Sequence, residues 1–291
     1  MRNKDAFSGY HPTINFLYYA LVLLFSMCLM HPVYLAISLT GALAYDIYLK
    51  GRKAVRFAVM GLLPMAAVAA LVNPAFNHEG QTILTYLPSG NPLTLESMLY
   101  GLSAGGMLAA VLLWFTTYQA VMTSDKFVYL FGRAIPALSL VLSMTLRFVP
   151  KFRAQLRAVQ QARQFAGNSE KTGPVQKVRT SVENFSILVT WSLENAVETA
   201  DSMRARGYGL PGRTAFSIFR FESRDARLLA WLLACGGLVI FGWAAGTLAW
   251  RYYPTVRGGF TGLTALCAAA ELALALTPWA IDAWEARKWN S

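Results

Sequence analysis

The sequence of 291 residues is 55% hydrophobic and only 14% charged, where soluble domains carry about 25% charged residues, so its composition excludes an ordinary soluble domain. Mean hydropathy is +0.39. The formal net charge of +11 is concentrated, with 14 of the 26 Lys and Arg between Arg147 and Arg227, and is a topology signal before it is a nucleic-acid footprint.

In chain order, six stretches approach the ~20 apolar residues of a membrane-spanning helix: Ile14–Met30, Pro32–Leu49, Val55–Val72, Ser97–Met122, Leu228–Trp250 and Phe260–Trp284. Met30-His31-Pro32 offers no small-residue cleavage site, so the first stretch is expected to stay as a span rather than leave as a signal peptide. The junction is short enough to make the first two spans a tight hairpin. Asp46, near the end of the second stretch, has Lys50 one turn away, the spacing of a snorkelling ion pair. Residues 73–96 contain no Lys or Arg and several Gly and Pro, the composition of a loop. Gly101, Gly105 and Gly106 in the fourth stretch permit close helix approach, within this chain or against another membrane subunit.

Charge bias sets the orientation. Arg2 and Lys4 precede the first stretch, Lys50, Arg52, Lys53 and Arg56 separate the second and third, and Arg287 and Lys288 follow the sixth. A cytoplasmic N-terminus places these clusters and the basic segment inside, with both termini cytoplasmic, and only Arg251 and Arg257 against the rule. Ala134–Phe148 and Phe185–Leu193 are too short to span and are expected as helices at the cytoplasmic interface or tucked beneath the spans.

The basic segment carries two helical patterns. Phe148, Phe152, Leu156, Val159 and Ala162 form one stripe, with Arg163 near its end and Gly167, Asn168, Gly173 and Pro174 as stop signals. Val182, Phe185, Val189, Leu193, Ala196, Ala200 and Met203 form the second. It ends in Arg204 and Arg206, then Gly207, Gly209 and Pro211, a strong C-terminal signature. Each arginine alone reads as a helix cap facing anionic lipid. Paired, two Ala-Arg steps at helix ends suggest two similar docking points on a partner with related acidic pockets, because the guanidinium fork binds carboxylate with two parallel hydrogen bonds.

Glu271 lies mid-span among Ala and Leu and is a candidate for ion or proton handling, for a buried hydrogen bond or for a protonated carboxyl. Trp243, Trp250, Tyr252, Tyr253, Trp279 and Trp284 read as interfacial anchors. Cys28, Cys235 and Cys267 fall in apolar runs without a CxxC and read as small buried hydrophobes. His11, His31 and His78 lack the spacing of a metal site. No phosphate-binding glycine loop, nucleophile elbow or HExxH is present, so no ATP hydrolysis, cofactor or metal is expected of the chain itself.

Over most of its length, and most strongly from Pro136 to Thr214, the chain resembles the transmembrane T component of energy-coupling factor (ECF) transporters, the family that includes the CbiQ-type cobalt permeases. The resemblance rests on Pro136, on Leu146-Arg147-Phe148-Val149-Pro150, on Gln160-Gln161-Ala162-Arg163, and most specifically on Ser202-Met203-Arg204-Ala205-Arg206-Gly207-Tyr208-Gly209 with Arg213-Thr214 after. It implies that the helices ending in these motifs are cytoplasmic coupling helices. Ala162, Arg163 and Gln164 would dock one ATP-binding-cassette ATPase and Ala205, Arg206 and Gly207 a second, supported by Pro136, Arg147, Pro150, Arg204, Tyr208 and Gly209. Gln164 departs from the family's more usual Gly or Arg after the first arginine.

The expectation is an all-α polytopic membrane protein: spans one to four in residues 1–122, a coupling region in 123–226, and spans five and six in 227–291. The implied function is energy coupling in a vitamin or metal-ion importer of the cell membrane. Its implied partners are two ATPases and a substrate-binding membrane S component, with lipid and without nucleic acid. The alternative is a stand-alone transporter or channel that uses Glu271.

Overall fold

The computed structural model describes residues 5–86, 92–132, 136–165, 173–211 and 219–290. The chain divides into two compact units, Met1–Thr123 with Phe219–Ser291, and Ser124–Ile218.

In the first unit, helix α1 (Pro12–Cys28) leads into α2 (Pro32–Lys50). Both start by the same device. Pro at the first helical position has no N–H to leave unpaired, and the preceding histidine accepts from the next free amide, His11 Nδ1 from Thr13 and His31 Nδ1 from Val33. A turn at Gly51, with φ of 59°, leads into a third continuous helical segment, Arg52–Phe76. It comprises α3 (Arg52–Phe57), a π turn at Ala58–Leu62 and α4 (Leu63–Phe76). Pro64 follows the π turn, and since proline cannot donate to the ladder, a local widening there accommodates it.

A hairpin of β1 (Ile83–Tyr86) and β2 (Pro92–Thr94) pairs antiparallel, with Ile83 opposite Thr94 and Tyr86 opposite Pro92. It occupies the stretch expected to be plain loop. The Glu96 carboxylate holds it by accepting from the Thr82 N–H at 3.2 Å and hydroxyl at 2.9 Å. Thr94 then caps α5 (Leu95–Val121) by accepting from the Ser97 N–H. The bundle closes with α9 (Ser223–Ala244), begun by a reciprocal Glu222–Asp225 capping box, and α10 (Gly262–Asn290).

Gly101 and Gly105 of α5 face α4. A Cβ on Gly101 would lie 2.8 Å from the Ala70 carbonyl oxygen, and one on Gly105 2.7 Å from that of Ala66. Both distances are below van der Waals contact, so the two backbones approach only because side chains are missing. The core is aromatic: Tyr18, Tyr19, Tyr34, Tyr45 and Trp114 are fully buried. Its polar atoms are paired at Trp114, whose Nε1 donates to Ser38 Oγ at 2.9 Å.

All six expected spans coincide with helices. Five are long and apolar enough to cross a membrane, and α1 is the shorter sixth with 17 residues, about 25 Å of rise. The chain is an all-α multi-pass membrane protein, with one small hairpin among the described residues. The fifth helix stops at Ala244, short of the expected Trp250. Trp250 instead lies against His31 with ring centroids 4.7 Å apart, and buried Tyr252 donates to the Met30 carbonyl at 2.8 Å. These two residues pack within the unit rather than serving as exposed anchors. Cys28 is exposed, not buried, while Cys235 and Cys267 are buried. The Asp46–Lys50 ion pair forms, at 2.9 Å.

The second unit contains α6 (Ser124–Gly132), α7 (Pro136–Phe165) and α8 (Pro174–Ala205). The short interfacial stretches read from the sequence are parts of longer helices. Pro150 sits inside α7, so the described part of the first stretch, 136–148, runs on into the basic stripe in one rod of 30 residues, while residues 134 and 135 lie outside the described residues. Phe185–Leu193 is likewise the middle of α8, which has 32 residues.

Candidate functional site

The two Ala-Arg motifs lie at the ends of α7 and α8, and local sequence explains both positions. α7 begins with Pro136, suited to a first helical turn, and ends just beyond Ala162, Arg163 and Gln164. The expected stop signals at Gly167 and Asn168 lie outside the described residues, as do Arg213 and Thr214. α8 begins with Pro174 and ends in a complete Schellman motif. The Gly207 N–H donates to the Arg204 carbonyl at 2.9 Å and the Tyr208 N–H to that of Met203 at 3.0 Å. Gly207 takes φ of +79°, the left-handed conformation this motif requires and that glycine adopts without Cβ cost.

Within this unit the helices run antiparallel. Phe152 of α7 meets Trp191 of α8 edge-on, with centroids 5.6 Å apart. A cleft of about 210 Å³ beside this contact is lined by Thr145, Phe148, Val149, Asn195 and neighbouring residues. Further along, Arg163 of α7 reaches residues 183 and 184 of α8. Arg206 therefore lies at the other end of α8, 23 residues past Glu183, about 34 Å along the axis at 1.5 Å per residue. One hairpin of rods thus separates the two motifs by roughly the width of a small domain.

The arginines differ in their surroundings. Arg206 is exposed and makes no ion pair among the described residues. Arg204 and Tyr208 beside it are exposed as well. Arg163 is partly buried and engaged. Its Nη1 donates to Asn184 Oδ1 at 2.7 Å and its Nη2 is paired with Glu183 Oε2. The other Glu183 oxygen takes Arg179 Nε at 3.1 Å. Hydrogen bonds from Arg163 and then Arg179 hold the Glu183 carboxyl below the usual carboxylate range. Arg147 and Pro150 lie in the middle of α7, and Gly209 follows the α8 cap with φ of +98°.

Sequence reading did not single out Glu183, Asn184 or Arg179. The one local signal is the four-residue spacing of Arg179 and Glu183 on a helix. Contact with Arg163 crosses two helices and leaves no local trace.

Glu271 lies on α10, buried, with Oε2 lacking a hydrogen-bond partner among the described residues. No group of three or more His, Cys, Asp or Glu side chains able to hold a metal ion occurs among the described residues.

Apolar helices long enough to cross a bilayer, together with a basic helical hairpin ending in arginines, define a multi-pass membrane protein. The chain belongs to the cobalt transport protein family, CbiQ, whose family model matches residues 9–216, and the resemblance read from Ser202–Gly209 is borne out. It is similar to proteins named energy-coupling factor transporter transmembrane protein EcfT. That of Exiguobacterium sibiricum is 30% identical over 106 residues, 36% of this chain and 40% of the relative. That of Lacticaseibacillus paracasei is 34% identical over 110 residues, 37% of this chain and 40% of the relative. That of Listeria innocua is 26% identical over 218 residues, 68% of this chain and 80% of the relative. The chain thus spans about two-fifths of the length of the first two relatives.

Proposed function

We propose that the chain is the energy-coupling transmembrane subunit of an ECF-type importer in the cell membrane, with both termini cytoplasmic. Arg206, with Ala205 and Gly207, docks one ATPase, and Arg163, with Ala162 and Gln164, docks a second. ATP is bound and hydrolysed in those partners, and the chain itself is not an enzyme. α7 and α8 act as levers that pass rigid-body displacement on to a separate substrate-binding membrane subunit. The cargo is a micronutrient, a vitamin or a metal ion. The observation that carries this reading is the exposed guanidinium of Arg206, without an ion pair among the described residues, on a Schellman-capped helix end, about 34 Å along α8 from the level of the Arg163 motif. That geometry presents two separate cationic tips to two acidic pockets.

The test is affinity capture of the tagged full chain from its native membrane. Arg206→Glu is expected to lose the co-purifying ATPases while membrane insertion persists, and Arg163→Glu to weaken capture less. Full ATPase recovery with Arg206→Glu overturns the reading.

The orphaned Glu271 carboxylate oxygen favours a second reading, a stand-alone transporter or channel. It requires transport by the purified chain in liposomes without ATPases, abolished by Glu271→Gln.

A further inference from the structure

Arg163 does not hang free at the end of α7. Its two terminal nitrogens are split between two acceptors on α8, Asn184 at 2.7 Å and the Glu183 carboxylate. Asn184 is buried at 7% exposure, so this acceptor belongs to the helix contact rather than to a loose surface chain. A guanidinium has five N–H donors. One donor from each terminal nitrogen satisfies these contacts, leaving three for another acceptor.

Charge decides whether this engagement blocks a partner. A lone Glu183 would neutralise Arg163 and repel an acidic pocket. Arg179, on the second Glu183 oxygen at 3.1 Å, restores the balance: two guanidinium groups and one carboxylate leave a net positive charge. The cluster therefore fixes the side chain without making it electrically silent. Among the described residues Arg206 has no such frame, whereas Arg163 is already held.

We propose that Glu183 and Asn184 are positioning residues that pre-orient the Arg163 guanidinium for an acidic partner pocket, with Arg179 keeping the cluster cationic. This rests on the reading of Arg163 as a docking residue. Ordering a long side chain on binding costs affinity, and a chain already held in its bound orientation avoids most of that cost.

The experiment measures binding of the full chain, in nanodiscs, to the ATPases recovered with the unaltered protein. Glu183→Ala is expected to weaken binding about three- to tenfold, the range set by one immobilised rotamer-rich side chain, with Glu183→Gln in between. The double reversal Arg163→Glu with Glu183→Arg is expected to stay as weak as Arg163→Glu alone, because an acidic pocket then meets a carboxylate. Equal or tighter binding by Glu183→Ala overturns the proposal and makes Glu183 a bystander or a competitor. Recovery of full affinity by the double reversal also overturns it, since a mere staple between α7 and α8 is indifferent to which helix carries which charge. Failure of the docking reading itself is seen separately, as full affinity for the ATPases retained by Arg163→Glu.

Discussion

Gly207→Ala isolates the contribution of a single backbone conformation to partner capture. Gly207 sits at φ of +79°, where an L-residue with a Cβ loses about 1–2 kcal/mol. An added Cβ would also come within 3.1 Å of Leu210 Cδ1, a flexible tip that can yield, so the backbone term dominates. If the residue instead leaves the left-handed region, the amide bonds to the Arg204 and Met203 carbonyls are lost and the turn that orients Arg206 unwinds. Converted at about 1.4 kcal/mol per tenfold, the strain corresponds to an affinity loss of about five- to thirtyfold if the capped form is the one that binds. Gly207→Asn should lose less, since asparagine tolerates this conformation. The assay is titration of the co-purifying ATPases onto nanodisc-held chain, beside circular dichroism to show that helix content is kept. Unchanged affinity with alanine, or asparagine as damaging as alanine, refutes the argument. The second result would mean that the partner surface excludes any side chain at this position.

Two further outcomes follow from packing and titration. Gly105→Val places methyl groups where a Cβ alone would lie 2.7 Å from the Ala66 carbonyl oxygen, so α4 and α5 must separate; overpacking of this kind costs about 1–3 kcal/mol and should appear as a lower Tm in detergent, and an unchanged Tm would contradict the close approach. Because the Glu183 carboxyl is held below its usual range by Arg163 and Arg179, folding of the α7–α8 hairpin gains from the ionised form above the ordinary carboxylate value of about 4.3, and that gain disappears as pH falls through the depressed value. A spin-label distance between α7 and α8 should accordingly be constant from neutral pH to about 5 and widen only in stronger acid; widening already near pH 6 would show that another group holds the hairpin.

Much of the fold was legible because membrane helices advertise themselves. Long apolar runs bounded by basic clusters left little choice of element, and the Gly207–Gly209 signature located the end of α8 because only glycine holds that cap cheaply. The length of α7 was less legible: the stretch before Phe148 and the basic stripe read as separate helices, yet α7 continues through Pro150. The hairpin at Ile83–Thr94 was hidden by its Gly and Pro content, which marks turns without showing that the flanking residues pair. Histidines 11 and 31 gave no metal signal, and their role as helix caps beside proline became visible only with the backbone. The least legible feature was the Glu183–Asn184 grip on Arg163, because residues 20 and 21 apart meet only after two helices have found their register.

Pro150 has one more implication. Without an amide hydrogen it cannot answer the Leu146 carbonyl one turn earlier, so α7 carries a notch near the middle of an otherwise continuous shaft. Bending in a shaft concentrates at its weakest rung. Under the proposed coupling role, force entering at the Arg163 tip would therefore go partly into swivelling the outer half about Leu146–Pro150, and the stroke delivered beyond it would be shorter than the stroke applied.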